Sequence, residues 1–283
     1  MMFPLDTLSA VDYLVIGHIT LDIFPQGNRI GGTSAFAGLT ARALGLRVGI
    51  ITSWGGEEKP DPLLQIPIVS FPSEHSTTFE NIQTPDGRIQ IVHNVAPGLD
   101  ANLIPDPWHS APIVHIAPVV QEVKPNILRS FPSALIGITP QGWLRAWDTN
   151  GRVYPTEWPE STYTLNQAGA AVVSIEDIAG DEQIIEEMAA SCHILAVTEA
   201  EKGSRVYWNG DVRHFLAPQI QEVDSTGSGD IYAAAFFIRL YDTRDAWEAG
   251  RFATQLASYS IARPGLEGIP TQEEIQDCMI EVF

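Results

Sequence analysis

The stretch DSTGSGDIYAAAFF, Asp224 to Phe237, decides how this chain is read. Small residues separate two aspartates, and an apolar run of helical character follows at once. Glycines 227 and 229 let the backbone turn tightly and approach a ligand closely. A helix that begins near Gly229 points its unpaired N–H groups into that turn, where the helix dipole also favours an anion. Such a nest, built from Gly227, Ser228 and Gly229, stabilises charge on a transferring phosphoryl group without any basic side chain. Asp230 then stands beside the nest, placed to accept a proton from an attacking hydroxyl. The same residues also suit a plain helix cap, so the stretch is weighed against the rest of the chain.

The chain has 283 residues, 45% of them hydrophobic and 18% charged, enough for one large core or a core with a small appended subdomain. Lys and Arg total 16 against 35 Asp and Glu, for a formal charge of -19. So acidic a surface repels nucleic acid and anionic membranes, and neither is expected as a partner. A phosphate ligand must therefore be held by local donors or by a metal. Cys192 and Cys278 make neither a disulfide framework nor a metal-site spacing. The N-terminal run, broken by Asp12, His18 and Asp22, reads as a buried strand rather than a secretion signal. No apolar run approaches the ~18 residues of a membrane span. The expectation is a cytoplasmic protein.

Short apolar runs alternate with helical patterns. YLVIGHI (Tyr13–Ile19), RVGIITSW (Arg47–Trp54), IVHIAPV (Ile113–Val119), ALIGIT (Ala134–Thr139), AAVVSI (Ala170–Ile175) and CHILAVT (Cys192–Thr198) are strand candidates. Each is apolar nearly throughout, the mark of strands covered on both faces. TSAFAGLTARALG (Thr33–Gly45), DEQIIEEMAAS and the spans 229–241 and 244–261 read as helices, and SRVYWNGDVRHFLA reads as a hairpin turning at Asn209-Gly210. The order argues for one α/β domain over 1–283 with a largely parallel sheet. One region breaks the rhythm. TTFENIQTPDGRIQIVHNVAPG reads as a hairpin around Pro85-Asp86-Gly87, suited either to covering a cleft or to lying at an edge. The Gly/Pro/acid run WGGEEKPDPLLQIP reads as a loop.

A second glycine element, NRIGGTSAFAGLTARALGL, places Gly31-Gly32 immediately before an early helix. The two glycine segments resemble the paired signatures of the ribokinase, or phosphofructokinase-B, family of sugar and nucleoside kinases. The resemblance continues through HITLD, VTEAEKGSRVYWNG and FATQLASYSIARPGLEGIPTQEEI, and so covers most of the chain in order. It implies a Rossmann-like, three-layer α/β/α ribokinase-like fold with a small β lid. Here the lid is reduced: the segment before Gly31 is short, so residues 76–95 supply most of it and 24–30 a little. A homodimer is one way to complete such a lid.

The resemblance also implies roles. Gly227, Ser228 and Gly229 form the anion hole and Asp230 is the base. Asp224 and Thr226 belong to the nucleotide surroundings, together with Thr198, Glu199 and Gly203. Asp22 would bond substrate hydroxyls, unless it only caps a turn; Glu199 reads equally as a solvated loop acid. Gly31 and Gly32 let the chain pass close to the acceptor. ATP and magnesium are the implied cofactors, with a monovalent cation such as potassium near RPGLEG as a further expectation.

The chain departs from the family pattern in three places. Phe36 stands on the substrate-side helix where an Asn commonly grips a sugar hydroxyl. The Asn-x-x-Glu motif that orders magnesium through water is missing, its nearest counterpart being SIED with Glu176 and Asp177. TPQGWLR brings Gln141 and Arg145 to a strand end, where open α/β sheets place ligands; Arg145 would pair with an acid there or touch phosphate. These features resemble the inositol-kinase-like branch. The implied activity is phosphorylation of a sugar or polyol hydroxyl. A nucleoside acceptor, with a base stacked on Phe36 or a Trp, and a non-catalytic sugar- or nucleotide-binding protein are the alternatives.

Overall fold

The computed structural model describes residues 8–24, 27–57, 63–84 and 87–279. The expected turn at Pro85-Asp86, part of the acidic loop after Trp54, and Pro25-Gln26 of the lid segment lie outside the described residues.

A nine-stranded sheet forms the centre. Its parallel strands are β1 (Tyr13–Ile16), β4 (Val48–Ser53), β5 (Ile68–Phe71), β8 (Ile113–Ile116), β9 (Leu135–Ile138), β12 (Ala170–Ser174) and β13 (Ile194–Thr198). The antiparallel hairpin β14 (Ser204–Trp208) and β15 (Asp211–Phe215) closes one edge, giving the order β15-β14-β13-β12-β9-β8-β1-β4-β5. Asn209 and Gly210 both adopt positive φ, 55° and 77°, as a two-residue hairpin turn demands.

Both faces are covered, as the apolar runs require. Tyr13, Val15 and Ile50 pack on one side with helices α1 (Thr33–Ala43), α4 (Ser228–Thr243) and α5 (Ala246–Ser260). Leu14, Ile16 and Ile51 pack on the other with Trp108, Phe131 and Ile185, the last from α3 (Glu182–Ser191). The short α2 (Ser161–Leu165) lies in that second layer, and α6 (Gln272–Met279) packs on α5. This is the three-layer α/β/α arrangement. Arg244, at φ 58°, ends α4, and the Asp245 carboxylate caps α5 by accepting from the N–H groups of Trp247 (2.8 Å) and Glu248 (3.2 Å).

β1 is shorter than the apolar run suggested. It stops at Ile16 because Gly17 runs so close to the Ala117 carbonyl that no side chain fits there. The chain then leaves the main sheet and enters a second, four-stranded one. Its members are β2 (Thr20–Ile23), β3 (Arg29–Gly31), β6 (Thr77–Thr84) and β7 (Gly87–Asn94), in the order β3-β2-β6-β7. The lid is thus fuller than expected. The contribution before Gly31 is two short strands, beginning at Thr20 rather than at residue 24.

The lid joins the body through buried polar groups. The Thr77 hydroxyl accepts from the Ala96 N–H (3.0 Å) and also pairs with Nδ1 of His18 (2.8 Å). His18 Nε2 donates to the Pro97 carbonyl (3.0 Å). Beside it the buried Glu122 carboxylate accepts from the backbone N–H groups of His18 (2.9 Å), Val119 (2.9 Å) and Val120 (2.8 Å). A small hairpin, β10 (Arg145–Trp147) with β11 (Val153–Pro155), braces the lid from outside. Val92 donates its N–H to the Gly151 carbonyl (2.8 Å), and Phe79 and Val92 pack with Val119, Val120, Trp147 and Val153.

Candidate active site

The strand order reverses at β1, whose neighbours β4 and β8 lead the chain in opposite directions. Ligands in open α/β sheets bind beyond the carboxyl ends of the strands at such a point. The segments that leave those ends carry Asp22, Gln141, Arg145 and Asp177.

Above them α4 begins. Gly227 is its N-cap, with φ 80°, ψ -2°, the left-handed conformation that glycine adopts without strain. A side chain at 227 would also collide with the Phe36 ring, whereas one at Gly229 would meet nothing within 4 Å. The turn is therefore backed on one side and open on the other. The Ser228 N–H closes onto the Ser225 carbonyl (3.2 Å), so the amides that helix geometry leaves for an anion are those of Gly229 and Asp230. Of the three expected amides, that of Ser228 is thus engaged in the turn.

Asp230 sits in the first turn of α4, partly buried. Burial pushes its carboxyl from 3.8 up to about 6, and the neighbouring charges of Asp177 and Asp22 push the same way. A hydrogen bond from Thr33 and the Arg145 charge oppose the rise. Three carboxylates thus crowd one arginine, and burial with like charge holds the Asp230 carboxyl above its ordinary range.

Arg145 links this cluster to the lid. Its Nη1 donates to Gln90 Oε1 (3.1 Å), and its Nη2 lies 3.5 Å from Asp177 Oδ1. An arginine only donates, so Gln90 presents its oxygen to Arg145 and its Nε2 donates to Asn81 Oδ1 (2.9 Å). Gln141 Nε2 donates to Asp177 (3.2 Å). The expected pairing of Arg145 with an acid is found. Gln90, Asn81 and Thr33 are the members that sequence reasoning did not assign, because only the folded lid and the α1–α4 packing bring them near Asp230.

Asp22 is 7% exposed on β2 and lies against Gly31, where any side chain would displace its carboxylate. Gly32, at φ 83°, is the N-cap of α1 and fits beneath the His18 carbonyl. Asp224 closes two turns: Oδ1 accepts from the Thr226 N–H (2.9 Å) and Oδ2 from the Gly265 N–H (3.0 Å), tying the approach to α4 to the RPGLEG segment.

Several expected residues are engaged differently. Phe36, 1% exposed, packs under Gly227 instead of facing an acceptor, so it offers no surface to a sugar or a base. Glu199 lies 2.9 Å from Arg205, which also binds Glu182; its carboxylate holds a surface ion pair at the end of β13. Gly203, at φ 91°, is required by the backbone of Phe215 and Ala217, and Thr198 ends β13 half-buried. Glu176 is exposed. Among the described residues no group of three or more His, Cys, Asp or Glu is arranged to hold a metal ion.

Residues 163–272 match the pfkB family carbohydrate kinase model, a span that holds Asp177, the β13–β15 region, Asp224 and Asp230. That match covers less than half of the chain. The chain is 24% identical over 243 residues to inositol 3-kinase of Zea mays, covering 86% of this chain and 63% of that protein. It is 34% identical over 88 residues to ribokinase of Bacillus subtilis, 30% of this chain and 29% of that protein. The match therefore spans less than two thirds of either relative. Among solved structures, a sulfate complex of a pyrophosphate-dependent kinase in the ribokinase family superposes with TM-score 0.78 at 20% identity, covering 94% of this chain and 100% of that one. Arabidopsis thaliana ribokinase, complexed with ribose and ATP, gives 0.71 at 16% identity, covering 95% and 98%. The chain therefore has the ribokinase-like fold. Among its described residues no helix is long and apolar enough to cross a membrane.

Proposed function

We propose that this protein is a small-molecule kinase that transfers a phosphoryl group to a hydroxyl of a sugar or polyol, with Asp230 as the base. One observation carries the reading: the Asp230 carboxylate stands in the first turn of α4, beside the open glycine turn and among Asp22, Arg145 and Asp177. The amides of Gly229 and Asp230 receive charge on the transferred group, and Asp230 takes the proton of the attacking hydroxyl. Asp22, Asn81 and Gln90 offer hydrogen bonds to the other hydroxyls. ATP is the proposed donor; magnesium bound with it would neutralise charge on its phosphates, facing Asp177 through water.

The neighbourhood favours a polyol over a nucleoside. The side chains identified around Asp230 are carboxylates, amides, a hydroxyl and a guanidinium, and the aromatic ring expected there, Phe36, is buried beneath Gly227. That set matches a ring of hydroxyls better than the flat face of a base. The maize inositol 3-kinase match supports the same class.

The test is a transfer assay with magnesium, a panel of inositols, hexoses, ribose and nucleosides, and both ATP and pyrophosphate as donors, read by ³¹P NMR. Pyrophosphate is included because solved neighbours on the same fold are described as pyrophosphate-dependent. A phosphorylated inositol or sugar formed from ATP is the expected product. Phosphorylation of nucleosides alone would overturn the acceptor class, pyrophosphate alone the donor, and no product with any pair the whole reading.

A further inference from the structure

The geometry points to Gln121 as a positioning residue: from a left-handed backbone position just beyond β8, its side-chain amide pins the Arg145 carbonyl and so sets where the Arg145 guanidinium stands between the lid and Asp177. The inference rests on the kinase reading of the site and concerns a residue outside both glycine segments.

The loop from Ala117 to Val123 leaves the carboxyl end of β8 and is tied on both sides of Gln121. The Glu122 carboxylate accepts from the N–H groups of His18, Val119 and Val120, and the Glu122 carbonyl accepts from the Leu99 N–H (2.8 Å). Between these ties Gln121 adopts φ 63°. Glycine takes that conformation without strain and glutamine does not, so a side chain at 121 costs stability and its contact gives the reason for keeping it. Gln121 Nε2 donates to the Arg145 carbonyl at 2.7 Å. That carbonyl needs a donor. Among the described residues β10 and β11 form a two-stranded sheet, and the Thr156 N–H bonds the Leu144 carbonyl (2.9 Å). Arg145 and Pro155 are therefore a non-hydrogen-bonded pair, whose backbone groups face away from each other. Gln121 takes the place of a third strand at this one residue. The same loop holds the segment before Arg145 twice more: the Gly142 N–H donates to the Pro118 carbonyl (2.9 Å), and the Trp143 indole N–H to the Val123 carbonyl (2.8 Å). From a backbone fixed in this way the Arg145 side chain, 12% exposed, reaches Gln90 Oε1 (3.1 Å) on the lid and Asp177 Oδ1 (3.5 Å) on the body. The second contact is at the outer limit of a hydrogen bond, so a small shift of β10 releases it.

Gln121→Met keeps the length of the side chain and the strained backbone but deletes the amide. Gln121→Gly deletes the amide and removes the strain. The wild type and both variants are compared in acceptor KM and kcat, in thermal unfolding, and in ¹⁵N-arginine NMR of the substrate-free protein, where the Arg145 guanidinium signals are identified by their absence in Arg145→Lys. Both variants should raise the acceptor KM roughly three- to tenfold, the factor one neutral hydrogen bond implies, with kcat held within about twofold, because Gln90 belongs to the lid that meets the acceptor. Both should shift the Arg145 signals. The unfolding midpoint should divide them, Gln121→Gly melting about 2 to 4 °C above Gln121→Met. Activity then follows the amide and stability follows the backbone, a split that a merely structural residue does not give. Wild-type kinetics in either variant would overturn the proposal, as would a loss in Gln121→Met that Gln121→Gly restores. Unmoved Arg145 signals would overturn it whatever the kinetics. If the wild type turns over no donor–acceptor pair, the kinase reading fails, and the Arg145 signals still decide the Gln121 contact.

Discussion

At Gly227 and Gly229 two residues of one type do different work. Gly227 is left-handed and backed by the Phe36 ring, while Gly229 is helical with open space around it. Gly227→Ala should therefore cost about 2 kcal/mol or more, from left-handed strain and a clash in a packed wall. Gly229→Ala should be nearly neutral in denaturant unfolding, the check on both. Asp230 also has a stability signature. Its carboxyl titrates near 6 in the fold against 3.8 in an open chain, so the fold favours the protonated form. The penalty for ionising it is absent below about pH 4 and complete above about pH 6. Asp230→Asn should thus be more stable than the wild type at pH 8, by on the order of 2 kcal/mol after allowance for partial exposure, and the gain should vanish near pH 4. Thermal unfolding at the two pH values measures this, and it is the form a stability–function trade-off takes at a strained site. The glycine turn and the helix start were legible because they are local in sequence, as in Asp224–Asp230. Phe36 was misread because a large aromatic after a glycine pair looks like a ligand surface until the partner helix is known.

Among the elements, the lid departs furthest from expectation. Its two long strands were visible as alternating residues around a turn, but β2 and β3 are too short, at four and three residues, to show a period of their own. The brace β10–β11 was missed for the same reason, although Asn150-Gly151 carries a turn signal. The brace holds the lid through backbone: Gly151 has φ 78° and its carbonyl accepts from Val92, so a side chain there would strike the Val92 carbonyl. Gly151→Ala should loosen the lid while the central sheet stays intact. The expected result is faster hydrogen exchange confined to β6, β7 and the brace, with KM for the acceptor raised several-fold and the unfolding midpoint little changed. A variant with unaltered exchange in β7 would show that the brace does not hold the lid. The doubly buried strands of the main sheet, by contrast, were read directly, since apolar residues at every position leave few other placements.

Over the whole molecule, the charge of -19 sets the terms on which the proposed phosphate donor would be held. In that proposal the anion would be received by helix amides, and Arg145, a cation within the acid cluster, is already engaged with Asp177 and Gln90. The order of strands and helices was legible because periodicity changes from element to element along the chain. The convergence of Asp22, Gln90, Arg145, Asp177 and Asp230 was only partly so: those residues are far apart in sequence, and the crossover at β1 and the folded lid bring them together. The account stands or falls on what Asp230 does there. The most direct measurement is kcat for magnesium-dependent phosphoryl transfer to the best polyol acceptor by the wild type and by Asp230→Asn at pH 8, with donor binding measured alongside. A fall of roughly 10²- to 10⁴-fold in kcat with donor affinity retained is the predicted result. Turnover by Asp230→Asn within a few-fold of the wild type would contradict it.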